Sequence, residues 1–129
     1  MRLLLDTHII LAMIESRGES LPSGIRRLIE DVTAAHHVSV VSLWEIAIKW
    51  RLGKIRLTPG LNTLPELFQD MGIDLLTINA DHVLAEVEPE PLTRDPFDRL
   101  LLAQCQIEDL RLVTIDRMLV AHPLAAKVK

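Results

Sequence analysis

Cysteine occurs once in the 129 residues, tyrosine not at all, and aromatic residues make up 3% of the chain. One cysteine cannot close an internal disulfide, so a crosslinked scaffold is excluded. Cys105 stands in an apolar stretch, where a buried, inert thiol is expected. Two Trp and two Phe are too few for the row of base-stacking platforms that single-strand binders use. Five Gly and seven Pro are scattered without period, which excludes collagen-like and low-complexity classes. Apolar runs such as 9–14 stop well short of the roughly 20 residues that a membrane-spanning helix needs. Asp6, His8 and Glu15 interrupt the opening stretch that briefly imitates an export signal. Positive charge is also scarce, with 14 Lys and Arg against 18 Asp and Glu and a net charge of −4. A nonspecific nucleic-acid coat is thereby excluded, and any contact with RNA or DNA must be local. The cytosol is the expected setting.

What is present suffices for one core. With 49% hydrophobic and 25% charged residues, the chain reads as a single ordered domain over 1–129. Residues 2–5 form an apolar run closing on Asp6, the pattern of a buried strand. Helices are expected over 8–15, capped by Asp6 or Thr7, over 22–35, and over 42–53 from Ser42. Strands are expected over 37–41, 73–78 and 112–115. A basic connector at 54–60 ends in Thr-Pro-Gly, and a helix over 64–71 is closed by Gly72. Asn79 caps a short helix to 86, and Glu-Pro-Glu-Pro at 88–91 forces an extended, solvated loop. Asp95 and Pro96 open a helix to 109, and a short helix follows Asp116. Strands alternating with helices predict an α/β fold, a three-layer α/β/α sandwich with a mostly parallel central sheet. Ligands of such sheets bind beyond the carboxyl ends of the strands, so the residues just after each strand carry the functional information.

Those positions are rich in acids. Asp6 follows the first strand, Glu45 is placed in the first turn after the second, Asp98 opens a helix, and Asp116 follows the last strand. Carboxylates gathered in one cleft repel each other unless a divalent cation compensates them, which points to Mg²⁺ or Mn²⁺. Zinc would call for His and Cys at ligand spacing, which the sequence does not offer. Each acid also has a purely structural role open to it. Ser42 and Glu45 can form a capping box, and Glu45 can pair with Lys49 one helical turn on. Asp95 and Asp98 can serve the positive end of the helix around Pro96, and Asp6 and Asp116 can cap the helices after their strands.

Two patterns favour a shared site. The helix around Glu45 is apolar almost all round, with Leu43, Trp44, Ile46, Ala47, Ile48 and Trp50, leaving Glu45 and Lys49 as a narrow polar stripe bordering a cleft. Asp98 lies among Phe97, Leu100, Leu101 and Leu102, where an ionised group needs a partner. Thr7, Thr114 and Asp95 are placed as supports that hold a carboxylate or a water. Lys49, Arg51, Lys54 and Arg56 put four cations in eight residues, a solvated face or else the best local phosphate-binding patch. The five His are dispersed and read as surface or core filler, and Glu86, Glu88 and Glu90 as solvated loop charge.

Four blocks together resemble a known family: Leu-Leu-Leu-Asp-Thr-His at 3–8, Ser-Leu-Trp-Glu-Ile-Ala-Ile-Lys at 42–49, Arg-Asp-Pro-Phe-Asp-Arg-Leu-Leu-Leu-Ala-Gln at 94–104 and Leu-Val-Thr-Ile-Asp at 112–116. Their order and spacing are similar to those of the PIN domain, in its VapC-type toxin branch, over nearly the whole chain. The resemblance implies a metal-dependent endoribonuclease, the toxin of a type II toxin–antitoxin pair, usually a homodimer and silenced by a cognate antitoxin. It implies Asp6, Glu45, Asp98 and Asp116 as the acidic site for Mg²⁺ or Mn²⁺, with Thr114 in support, and products bearing 5′-phosphate and 3′-hydroxyl ends. Water would be the nucleophile, with no covalent intermediate on Ser, Cys or His. Two departures touch substrate or partner surfaces more than the acids. Thr93 stands where relatives often carry His, and Ala12-Met13 where aromatic residues are frequent.

Three other readings are open. A phosphoacceptor or metal-binding regulatory module should show paired acids after the first strand and an acceptor Asp after the third, whereas Asp6 stands alone and the third strand runs into Asn79. A DNA-directed nuclease could use the same acids, because they address phosphate and leave the sugar unread. A pure interaction domain would use the acids only as caps.

Overall fold

The computed structural model describes residues 1–58 and 60–128. Along the chain run β1 (Arg2–Leu5), α1 (Thr7–Ile14), α2 (Ser23–Glu30), β2 (Ala35–Ser39), α3 (Val40–Arg51), α4 (Leu64–Asp70), β3 (Asp74–Leu76), α5 (Ala80–Leu84), α6 (Pro96–Glu108) and β4 (Arg111–Val113). All strand pairs are parallel, in the order β3-β2-β1-β4. Side chains alternate across a strand, so the Leu-Leu-Leu run of β1 serves both faces of the sheet. Leu3 and Leu5 enter a core with Ile9, Ile25, Val38, Ile46 and Phe68. Leu4 enters a second core with Val41, Leu101, Leu102, Leu112 and Leu119. Helices thus cover both faces, the α/β/α layering expected from the sequence. Among the described residues no helix is long and apolar enough to cross a membrane. Cys105 is buried and free, and burial pushes its thiol up to about 12.

Several boundaries differ from those expected. The helix expected to reach 35 stops at Glu30, because Asp31 Oδ1 accepts from the Thr33 backbone N–H at 2.9 Å and from its hydroxyl at 2.6 Å. A local side-chain turn of this kind competes with the helix. Ala35 is then free to pair with Arg2, and β2 covers Ala35–Ser39 instead of 37–41. Consequently α3 starts at Val40, with Ser39 as its cap accepting from Val41 N–H at 3.0 Å. Ser42 lies inside the helix, and the expected capping box with Glu45 does not form. The helix expected after Asp116 is a turn, in which the Asp116 carbonyl accepts from Leu119 and Val120. That turn is too short to propagate before Pro123. The basic connector at 54–60 is irregular as expected, and its Pro59 lies outside the described residues. After Pro123 the chain returns to the sheet. Leu112 N–H donates to Leu124 O and Ala126 N–H to Leu112 O, both at 2.8 Å, which seats Ala125 beside β4.

Candidate active site

A parallel sheet delivers its carboxyl ends to one edge. Asp6 leaves β1 there, buried, with its N–H donating to Val113 O of β4 at 3.0 Å. Thr7 N–H donates to Asp6 Oδ1 at 2.7 Å, and the Thr114 hydroxyl donates to Oδ2 at 2.7 Å. Thr114 Oγ1 in turn accepts from Asp116 N–H at 3.0 Å. The Thr7 hydroxyl donates to Ser42 Oγ at 2.9 Å and ties the end of β1 to α3. Asp116 also caps its turn, with Oδ1 accepting from Met118 N–H at 2.8 Å.

Glu45 is the sixth residue of α3, so it lies in the second helical turn and not the first. It is buried, and its Oε2 meets Lys49 Nζ at 3.0 Å. On α6, Asp95 is the N-cap and accepts from Phe97 N–H at 2.8 Å and Asp98 N–H at 3.4 Å. Thr93, also buried, donates its hydroxyl to Asp98 Oδ2 at 3.4 Å and accepts from Asp95 N–H at 3.1 Å. Trp44 meets Phe97 edge to face, centroids 5.4 Å apart, which fixes α3 against α6 beside the acids.

The acids share one field. Burial pushes the Asp98 carboxyl up to about 7, and the charges of Asp95, Asp6, Asp116 and Glu45 all push the same way. Burial also raises Asp6, with Glu45 adding to it, against the opposing effects of the Thr114 hydroxyl, His8 and the Thr7 N–H. Uncompensated negative charge on hard oxygen donors fits Mg²⁺ or Mn²⁺ in kind. Among the described residues, however, no three His, Cys, Asp or Glu side chains form a ready metal-binding group. Glu45 is turned to Lys49, both oxygens of Asp6 accept from threonine donors, and Asp98 Oδ2 accepts from Thr93.

The fold therefore brings Asp6, Glu45, Asp95, Asp98 and Asp116 into one neighbourhood, bonds Thr7 and Thr114 to Asp6, and adds Lys49 through Glu45. Arg51, Lys54 and Arg56 are exposed at and beyond the end of α3. That helix is not enclosed by apolar packing as the sequence suggested. Trp44 is 58% exposed and Trp50 45%, so only one face of α3 is buried.

Sequence reasoning assigned Thr93 to a substrate or partner surface and Ser42 to a capping box, whereas Thr93 bonds to Asp98 and Asp95 and Ser42 to Thr7; it also set aside His8. The signal for Thr93 is a repeated Thr-x-Asp, at 93–95 and 114–116. In both copies the hydroxyl accepts the N–H two residues on and donates to a different acid of the site. His8, exposed and two residues after Asp6, is close enough to draw the Asp6 carboxyl downward. The remaining His are structural. His82, for example, completes a capping box with Asn79 and meets Glu108 at 2.9 Å. A separate cleft of about 480 Å³, between α5 and α6 and lined by His82, Val87, Pro91, Arg99 and Leu100, holds none of the five acids.

Compared with known protein families, residues 3–123 match the PIN domain. No curated protein matches the chain.

Proposed function

The chain belongs to the PIN domain family, whose members are generally metal-dependent nucleases, and from that premise we propose an endoribonuclease that hydrolyses RNA with Mg²⁺ or Mn²⁺. The observation that carries the reading is the meeting of carboxylates from four places in the fold, Asp6 after β1, Glu45 on α3, Asp95 and Asp98 at the start of α6 and Asp116 after β4, close enough that the other four add to the effect of burial on the Asp98 carboxyl. Asp6, Glu45, Asp98 and Asp116 are the residues proposed to hold the cation, which when bound supplies charge neutralisation at the scissile phosphate and acidifies water. The chain's own groups do the positioning. Thr7 N–H and the Thr114 hydroxyl fix both oxygens of Asp6, so that carboxylate needs little reorganisation on binding. Thr93 and the Asp95 cap set the first turn of α6 and with it Asp98. Arg51, Lys54 and Arg56 offer charge to the phosphates on either side of the cut.

The toxin role, a cognate antitoxin, a homodimer and a cytosolic setting belong to the same proposal, supported by the four sequence blocks similar to VapC-type toxins. The test is cleavage of structured RNA by the purified chain. Cleavage is expected with Mg²⁺ or Mn²⁺, and loss of it in chelator. Asp6→Asn and Asp98→Asn should each reduce the rate by at least about a hundredfold while retaining native circular dichroism. Cleavage that survives metal stripping, or cleavage of DNA in preference to RNA, would overturn the assignment.

A further inference from the structure

Five carboxylates share the site, yet among the described residues Lys49 alone makes an ion pair with any of them. The pair is largely shielded from solvent. The Lys49 side chain is 27% exposed and that of Glu45 11%, unlike the solvated helix pairs that salt screens away. Its partner oxygen belongs to an acid proposed to hold the cation. An ammonium and a divalent cation repel each other, so a carboxylate oxygen facing one at 3.0 Å is not equally available to the other.

We propose that Lys49 is the resident counter-ion of the acid cluster and competes with the divalent cation for Glu45, setting the cation concentration at which the site fills. This rests on the metal-site reading above and deepens it. It also accounts for acids that share a field without forming a ready metal-binding group: Glu45, one of the five, is turned to Lys49. Lys suits that role because its ammonium is a compact charge on a four-carbon stem, able to leave without disturbing the helix that carries it. Lys49 is thus a positioning residue, acting through Glu45. Removing its charge leaves Glu45 facing the other carboxylates alone, which raises the pull on a cation. Loss of the pair as a helix contact would not do this.

The test is a calorimetric titration of Mn²⁺ alone, without RNA, into the metal-stripped full chain. Lys49→Met and Lys49→Gln should each bind Mn²⁺ more tightly than the wild type, by roughly fivefold or more. Lys49→Arg, which keeps the charge, should bind like the wild type, and Asp98→Asn should lose most of the binding. Unchanged or weaker Mn²⁺ affinity in Lys49→Met and Lys49→Gln, with Asp98→Asn still deficient, would overturn the counter-ion role and leave the metal site standing. Equal tightening in Lys49→Arg would also overturn it, since charge would not be the cause. Full Mn²⁺ binding by Asp98→Asn would remove the metal site itself.

Discussion

Asp98 holds a costly position, since burial and four neighbouring carboxylates push its carboxyl up to about 7 from the ordinary 3.8. Between about pH 4 and pH 7 the folded chain therefore keeps a proton that the unfolded chain has released. Stability falls as pH rises through that window and levels off above it. Asp98→Asn removes the charge at nearly constant shape. In metal-free protein at pH 8 it should raise stability by roughly 1 kcal/mol, about 3 °C in melting temperature, after discounting for solvent screening. At pH 4 it should change little. Thermal melts of the two proteins at both pH values check this, and equal melting temperatures at pH 8 would show that the acids do not strain one another. What was legible at this scale was chemistry at strand ends, where Asp6 and Asp116 each follow a short apolar run. The role of Thr93, read only as a surface departure from the family pattern, was not legible, because its hydroxyl matters only once Asp98 has been folded onto it, although the Thr-x-Asp repeat could have pointed to it.

At the scale of elements, α3 shows how tertiary register overrides local preference. Val40 and Val41 are β-branched and read as strand. The pairing of β2 with β1 uses up the strand by Ser39, and Ser39 then caps the helix that contains both valines. The expected capping box at Ser42 placed Glu45 one turn too early for the same reason. The helix still pairs Glu45 with Lys49, because their spacing of four is independent of where the helix begins. Beyond its last turn, Lys54 and Arg56 stand exposed on an irregular segment. Lys54→Gln combined with Arg56→Gln should weaken RNA binding and reduce the slope of log affinity against log salt by about 1.4, since each phosphate left unneutralised on a single strand takes away about 0.7. Binding isotherms at several salt concentrations measure that slope, and an unaltered one would exclude these side chains from the RNA path.

For the whole molecule, the layering was readable because its causes are local: apolar runs of strand length, helical periods between them, and capping residues at the joints. Asp95 as a cap, Asn79 as a cap and Gly72 as a helix stop all fall where the sequence put them. The order of strands was not readable, since nothing in a short apolar run says which neighbour it will choose. That order matters for function. With β1 between β2 and β4, Asp6 leaves the sheet beside Thr114 on one side and beside the start of α3 on the other.

The return of the chain to β4 has a consequence of its own. Leu124 and Ala126 occupy the outer backbone groups of Leu112, so the last few residues work as a selvedge that keeps the woven sheet from fraying into its neighbours. A chain cut back after Pro123 should keep its helices yet turn sticky, its bare β4 margin recruiting strands from other molecules. Light scattering would then climb with concentration, while the uncut protein stays clear.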